Sequence, residues 1–349
     1  MTNRELAQHF GISPAAFSLI LNQKPGVSEA TRNRIISELR EMGYTHLLKK
    51  IPQPEVEEIT ASSNYAQICF VTYKRHGKIL NQHPFFMLLM ESIEERARQQ
   101  GYHIVLMTID HLGNIPEQLE ALKAMQARGI LLFALEMQPE DIEPFLMTGL
   151  PLVALDNQFS HQPVHTVSID NEMGTYQAIE YLAKLGHQKI GYLQSDVAVS
   201  SFQERDVGYR TAAAAFGLEL EPAIRIPYTE VGSYQTFRGI LKERPALPSA
   251  FVCDDDTIAS GVMRALVEAG YHVPEDISVI GFNDRPSSEM TSPPLTSVNV
   301  PRTSFGAEGI DALVRLIQKR EQGITEVRPL KLRIGTQLVC RESVRNLVP

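Results

Sequence analysis

The 349-residue sequence is short of cysteine, of long apolar runs and of every common catalytic signature. Its three cysteines, Cys69, Cys253 and Cys340, are odd in number, widely spaced and set among apolar residues. They predict buried free thiols in a reducing compartment rather than a disulfide framework. The best apolar run, GILLFAL, falls far below the ~18 residues of a membrane helix. The opening MTNRELAQHF has charges and no apolar h-region, so a cytoplasmic chain is expected. No GxSxG, HExxH or CxxC spacing occurs, and no Gly-rich phosphate loop, so neither nucleophilic catalysis nor a metal or nucleotide cofactor is expected.

What is present is ordinary in amount and uneven in distribution. The chain is 43% hydrophobic and 21% charged, as folded proteins are, and its length suits two or three domains. Its net charge of −8 argues against a protein that coats nucleic acid. Yet residues 1–50 hold seven Lys/Arg against four Glu, a net +3, which leaves −11 for the rest. A small basic head precedes an acidic body.

The head reads as three short helices with one tight turn. NRELAQHFG places Leu6, Ala7 and Phe10 at helical spacing and stops at Gly11. ISPAAFSLILN restarts at once, with Ser13 suited to the N-cap and Pro14 to the first helical position. A third helix follows KPGV, capped by Ser28, striped by Ile35, Ile36 and Leu39, and closed by Gly43. Two helices joined by a turn of about three residues form a helix-turn-helix, although any three-helix bundle carries such stripes.

From residue 67 the pattern changes to short apolar runs alternating with amphipathic stretches. One series of expected strands is 67–73, 103–109, 129–135 and 150–156, with helices at 85–100, 115–128 and 140–148. A second is 189–195, 223–228, 249–254 and 276–283, with helices near 172–185, 202–216, 232–243 and 257–269. Doubly buried strands separated by helices indicate parallel α/β sheets, and two series indicate two sub-domains of similar build. In such sheets ligands sit beyond the C-terminal strand ends. The residues there are Asp156, Ser195–Asp196, Asp254 and Asn283, a ring of short oxygen-bearing side chains suited to a polar, hydroxyl-rich molecule.

ELAQHFGIS, FSLILN, VSEATRNRI and EMGY in the head resemble the start of the LacI family of transcriptional repressors. In the body, VSIDNEMGTYQAIEYLAKLGHQKIGYL, SSFQERDVGYRTA, FVCDDDTIASGVMRALVEAGYHVPEDISVIGFND, PPLTSVNVPRTSFG and LVCRESV resemble the same family in the same order. Coverage is nearly complete, failing mainly at the linker and at TYKRHGKILNQHPFF. The resemblance implies a helix-turn-helix DNA-binding head (1–46), a linker (47–66) and an effector-binding and dimerisation body (67–349). The body is then two doubly wound α/β sub-domains of the periplasmic binding protein type I kind.

Residue by residue, the resemblance implies an effector pocket containing Phe85, Phe86, Asp156, Ser201, Arg205, Asp254 and Asn283. Asp254 stands where most members have Asn, and Asn283 where most have Asp, so one amide and one carboxylate exchange places. In the head it implies DNA contacts from Thr2, Ser13, Pro14, Ala15, Ala16, Ser18, Leu19 and Asn22, with Lys49 and Lys50 on phosphate. Leu19 occupies the position of a base-reading Arg in many members, so hydrogen-bond readout is thin and contact with thymine methyls takes its place. Pro52 and Pro54 argue against the family's linker helix.

The triple acid Asp254–Asp255–Asp256 is expected to divide its work: Asp254 faces the ligand while Asp255 and Asp256 cap and open the following helix. The whole reads as a homodimeric repressor of a double-stranded operator, switched by a small molecule, a sugar before a purine. A periplasmic-type sugar carrier lacks such a head, and an α/β enzyme needs catalytic motifs that are absent.

Overall fold

The computed structural model describes residues 3–21, 26–28, 31, 35, 39, 66–79, 84–324 and 328–348. Of residues 3–5, 84–88 and 220 it describes the backbone alone. The chain forms two compact units, Met1–Asn64 and Tyr65–Pro349. In the first, α1 (Asn3–His9) and α2 (Pro14–Leu21) flank a turn at Gly11, whose φ of 67° is left-handed and suits glycine. Leu6, Ala7, Phe10, Phe17, Ile20, Leu21, Ile35 and Leu39 close into one small core, in which Phe10 stacks on Phe17. Ser28 Oγ accepts the Thr31 N–H at 3.3 Å. Ile36, Gly43, Pro52 and Pro54 lie outside the described residues.

The second unit holds two sheets. The first has the strand order β12-β5-β4-β3-β1-β2 and is wholly parallel. Its strands are β1 (Ala66–Lys74), β2 (Tyr102–Asp110), β3 (Gly129–Phe133), β4 (Leu152–Leu155), β5 (His165–Ile169) and β12 (Lys331–Ile334). The second has the order β13-β11-β10-β9-β6-β7, with β8 also on β6. Its strands are β6 (Lys189–Ser195), β7 (Glu219–Leu220), β8 (Ile224–Ile226), β9 (Ala250–Cys253), β10 (Ser278–Asn283), β11 (Thr296–Asn299) and β13 (Gln337–Val339). β13 runs antiparallel to β11 and every other pair is parallel. β3, β4 and β9 are buried at every position, as strands covered by helices on both faces must be.

Helices α3 (Pro84–Gln99), α4 (Ile115–Ala124), α5 (Glu143–Leu146) and α10 (Arg302–Glu321) serve the first sheet, and α10 packs on α3 and on β3, β4 and β5. Helices α6 (Asn171–Lys184), α7 (Ser200–Phe216), α8 (Glu230–Lys242) and α9 (Asp256–Glu268) serve the second. The closest approaches are made by glycines. A Cβ on Gly208 of α7 would sit 2.3 Å from the Glu172 carbonyl, and one on Gly261 of α9 would sit 2.5 Å from that of Glu230.

The sub-domains are not two consecutive blocks, as the sequence series suggested. After β5 the chain crosses to the second sheet at Asp170, and it returns at Val300–Pro301 to begin α10. It crosses a third time at Gly335–Thr336, between β12 and β13. Strand β12 therefore pairs with β5 (Thr166 with Lys331), though the two lie far apart along the chain. Cys69 and Cys253 are buried as expected, but Cys340 is exposed beside the edge strand β13. His165 opens β5, and its Nδ1 accepts the Leu330 N–H at 3.0 Å. No helix among the described residues is long and apolar enough to cross a membrane.

Candidate functional site

The first sheet places β1 between β2 and β3, and the second places β6 between β7 and β9, so neighbouring crossovers leave in opposite directions at β1/β3 and at β6/β9. A crevice opens at such a point, beyond the C-terminal strand ends. The second sheet puts Ser195 at the end of β6 and Asp254 at the end of β9, one on each side of it.

Asp254 is fully buried, and its carboxylate turns inward rather than out. Oδ1 accepts the Tyr192 hydroxyl, and Oδ2 accepts the Ser195 N–H at 2.7 Å. Burial dominates its electrostatics and lifts its pKa to about 7, against the pull of Tyr192, Arg205 and Ser195. Arg205, in α7 and 5% exposed, binds the main chain of Asp254 rather than its carboxylate. Its Nε donates to Asn171 Oδ1 at 3.0 Å and its Nη1 to the Asp254 carbonyl. The guanidinium carbon lies 3.6 Å from the centroid of the Phe282 ring, which fixes the plane of the fork.

Asp156 comes from the other sheet, directly after β4, in a left-handed conformation (φ 60°) that aims it away from the strand. Its carboxyl is raised to about 7 by burial, opposed by Arg205 and reinforced by Glu204. One guanidinium thus acts electrostatically on an acid of each sub-domain. Glu204, whose pKa burial also raises, accepts from Asn171 Nδ2 at 2.9 Å. Asn171 therefore holds Arg205 with its oxygen and Glu204 with its nitrogen, a function that its asparagine motif alone did not reveal.

The other two aspartates cap and open α9 as expected, and each also binds away from it. Asp255 is the N-cap of α9: Oδ1 accepts the Thr257 N–H at 2.7 Å. Its Oδ2 accepts from Tyr228 Oη and Arg285 Nη2, each at 3.0 Å, and from Asn283 Nδ2. Asp256 opens the helix but bonds away from it, to Ser297 Oγ (2.6 Å), Ser288 Oγ (2.7 Å) and the Arg285 N–H (2.8 Å). A Cβ at Gly281 would meet Asp256 Oδ1 at 2.1 Å, so glycine there makes room for the carboxylate. Among the described residues no three His, Cys, Asp or Glu side chains are grouped to hold a metal.

Asn283 ends β10 with φ 96° and Asp284 follows with φ 47°, two consecutive non-glycine residues in left-handed backbone. Such residues are uncommon and persist where their surroundings hold them. Arg302 holds these: from the first position of α10 its Nη2 donates to the carbonyls of Asn283 (2.6 Å) and Asp284 (2.7 Å). Ser201 is 3% exposed in the first turn of α7. The side chains of Phe85 and Phe86 lie outside the described residues. The loop after β1 is tied to Glu136, a buried carboxylate that accepts the N–H groups of Arg75, His76, Gly77 and Ile79 at 2.9–3.3 Å. No sequence motif marked it.

In the head, Ser13 Oγ accepts the Ala16 N–H at 3.1 Å and so caps α2. Phe17, Ile20 and Leu21 are buried; Ser13, Pro14, Ala15 and Ser18 are exposed, with Ala16 and Leu19 half-buried. Thr2, Asn22, Lys49 and Lys50 lie outside the described residues.

Residues 179–344 match the family model described as a periplasmic binding protein-like domain. The chain is 26% identical to the HTH-type transcriptional repressor PurR of Pasteurella multocida, over 99% of both chains. It is likewise 26% identical to the probable HTH-type transcriptional repressor ExuR of Bacillus subtilis, over 99% of both. Among solved structures it resembles the transcriptional regulator CelR in complex with cellobiose, with a TM-score of 0.69 and 26% identity over 98% of this chain and 99% of that one. It also resembles the lac repressor dimer bound to operator and the anti-inducer ONPF, with a TM-score of 0.68 and 25% identity over 98% of both chains. With a helical head and two interleaved doubly wound sheets, the chain is similar to these HTH-type repressors over nearly its whole length.

Proposed function

We propose that the protein is a homodimeric, cytoplasmic transcriptional repressor whose affinity for its operator is set by a small polar molecule bound between the two sub-domains. What supports this reading is the charge of Arg205, which acts on Asp156 of the first sub-domain and on Asp254 of the second. A molecule with several hydroxyls satisfies such a ring of acceptors and one guanidinium without bringing its own charge, so a sugar fits best. The solved relative bound to cellobiose supports that choice.

The three crossings, at Asp170, Val300–Pro301 and Gly335–Thr336, are one or two residues long. Segments so short permit rotation of one sub-domain against the other and little else. A ligand that prefers the closed arrangement shifts the body toward it, and the preference, not the tightness of binding, sets the size of the response. Ligand and operator must then alter each other's affinity by the same factor.

The reading is tested with the Arg205→Ala variant. A thermal-shift screen of mono- and disaccharides, sugar phosphates and purines finds the effector, and binding selection on random duplexes finds the operator. The variant should keep operator affinity within about twofold and lose the effector response. Calorimetry showing unchanged effector affinity in a folded variant removes Arg205 from the pocket, and failure of the intact chain to enrich any DNA sequence removes the repressor reading.

A further inference from the structure

The recognition helix carries almost no hydrogen-bonding chemistry. In α2, Pro14 to Leu21, the only polar side chain is that of Ser18, and neither end of the helix carries a charge. Its outward residues, Pro14, Ala15 and Ser18, with Ala16 and Leu19 half-covered, offer methyl and methylene surface. Leu19 leans over the turn, with its Cδ1 3.1 Å from the place a Cβ on Gly26 would take, and so extends that apolar face.

Duplex DNA distinguishes its bases in the major groove by bidentate donors and acceptors, with one exception. Guanine is read by Arg or Lys, adenine by Asn or Gln, and cytosine by Asp or Glu, whereas thymine also presents a methyl group that apolar side chains recognise by contact. None of the bidentate partners is on α2, whereas apolar partners for the methyl cover its outer face. Resting on the reading of the head as DNA-binding, we propose that α2 specifies its half-site through thymine C5-methyl groups, received chiefly by Pro14, Ala15 and Leu19. The partner is then a duplex with thymines at the base pairs facing the first turns of α2. Phosphate contacts give affinity without sequence choice.

The test uses the full-length chain and operators recovered from a random duplex pool at fixed salt. Each thymine is replaced in turn by uracil, which removes the methyl group and leaves every hydrogen-bonding atom in place. Replacement at the positions facing α2 should weaken binding about fourfold per methyl, which corresponds to the ~0.8 kcal/mol of one buried CH₂-sized group. In Ala15→Gly, one of those positions should become indifferent to uracil while the others keep their penalty. That is a pairwise coupling which a merely loosened head would not show. Uracil operators bound as tightly as thymine ones overturn the proposal and leave the repressor reading standing; absence of any enriched sequence overturns the repressor reading itself.

Discussion

Replacing Asp254 with Asn should stabilise the protein at alkaline pH and do progressively less as the pH falls. The carboxylate is fully buried, and its partners are a hydroxyl and one main-chain N–H. Arg205, whose charge acts on it, spends Nη1 on the Asp254 carbonyl and Nε on Asn171. The charge is therefore buried without a direct ion pair, and its pKa rises from 3.8 to about 7. Between those values the folded chain binds a proton that the unfolded chain has released. Stability must therefore fall as pH rises through that window, and the full cost is present above the folded value. Three units correspond to about 4 kcal/mol at pH 8 and above, against ~2 kcal/mol near pH 5. Asparagine keeps both bonds: its oxygen accepts the Ser195 N–H and its amide donates to Tyr192, whose hydroxyl rotates to accept. Asp254→Asn should thus gain up to about 4 kcal/mol at alkaline pH and about half of that near pH 5. The chain has no Trp, so urea unfolding is followed by far-UV circular dichroism, and the midpoint should move while the slope stays constant. A variant that loses the same stability at both pH values would show the carboxylate to be ionised and structural, and would refute the argument.

Gly261→Ala should cost about 1–3 kcal/mol in urea, because the added methyl meets Ser233 Oγ at 2.0 Å and the Glu230 carbonyl at 2.5 Å. Ser233→Gly in the same chain should recover only part of it, since the carbonyl remains. His187 is buried, with Nδ1 2.8 Å from Ser249 Oγ and Nε2 3.0 Å from the Arg345 carbonyl, and burial pushes its pKa down. The folded state holds it neutral while the unfolded state takes up a proton near the ordinary value of ~6.5. Stability should rise with pH through that region and be lost on acidification, and His187→Gln should flatten this limb of the pH–stability curve.

Much of this was legible in the chain. The eight strands expected from apolar runs all form, and so do the helices between them. The ends of β4, β6, β9 and β10 fall within about two residues of the polar positions Asp156, Ser195, Asp254 and Asn283. Six elements gave no such signal, the two-residue β7 among them. β5, HTVSI, mixes polar residues into a short run, and β12, KLRI, alternates exposed with half-exposed positions at a sheet edge. β11 and β13 are three or four residues long, and α10 follows the crossing at Val300–Pro301 rather than a strand of its own sheet. Pairing between segments as distant as Thr166 and Lys331 leaves no periodicity behind, so two interleaved sub-domains looked like two blocks. The sequence also could not tell which way Asp254 faces. A strand-end carboxylate reads the same whether it meets solvent or Tyr192, and only the burial of β6 beside β9 decides.

The interleaving gives the pocket its mechanical consequence. Arg302 begins α10, the 20-residue helix that packs across the first sheet, yet its side chain ends on the second, at two carbonyls in left-handed backbone. Each such residue costs on the order of 1–3 kcal/mol and is stable only while its contacts persist. Asn283 is also bonded through its amide to Asp255, which caps α9 and binds Arg285 and Tyr228. In the proposed mechanism, a ligand that competes for the Asn283 amide works against Asp255 on one side and disturbs, on the other, the corner that Arg302 grips. Both effects favour a second arrangement of the same few hydrogen bonds over gradual bending, because close-packed interiors switch between packings rather than deform continuously. On that proposal the response to the effector would be decided at this corner, where Asn283, proposed for the pocket, gives its carbonyl to Arg302 at the start of α10.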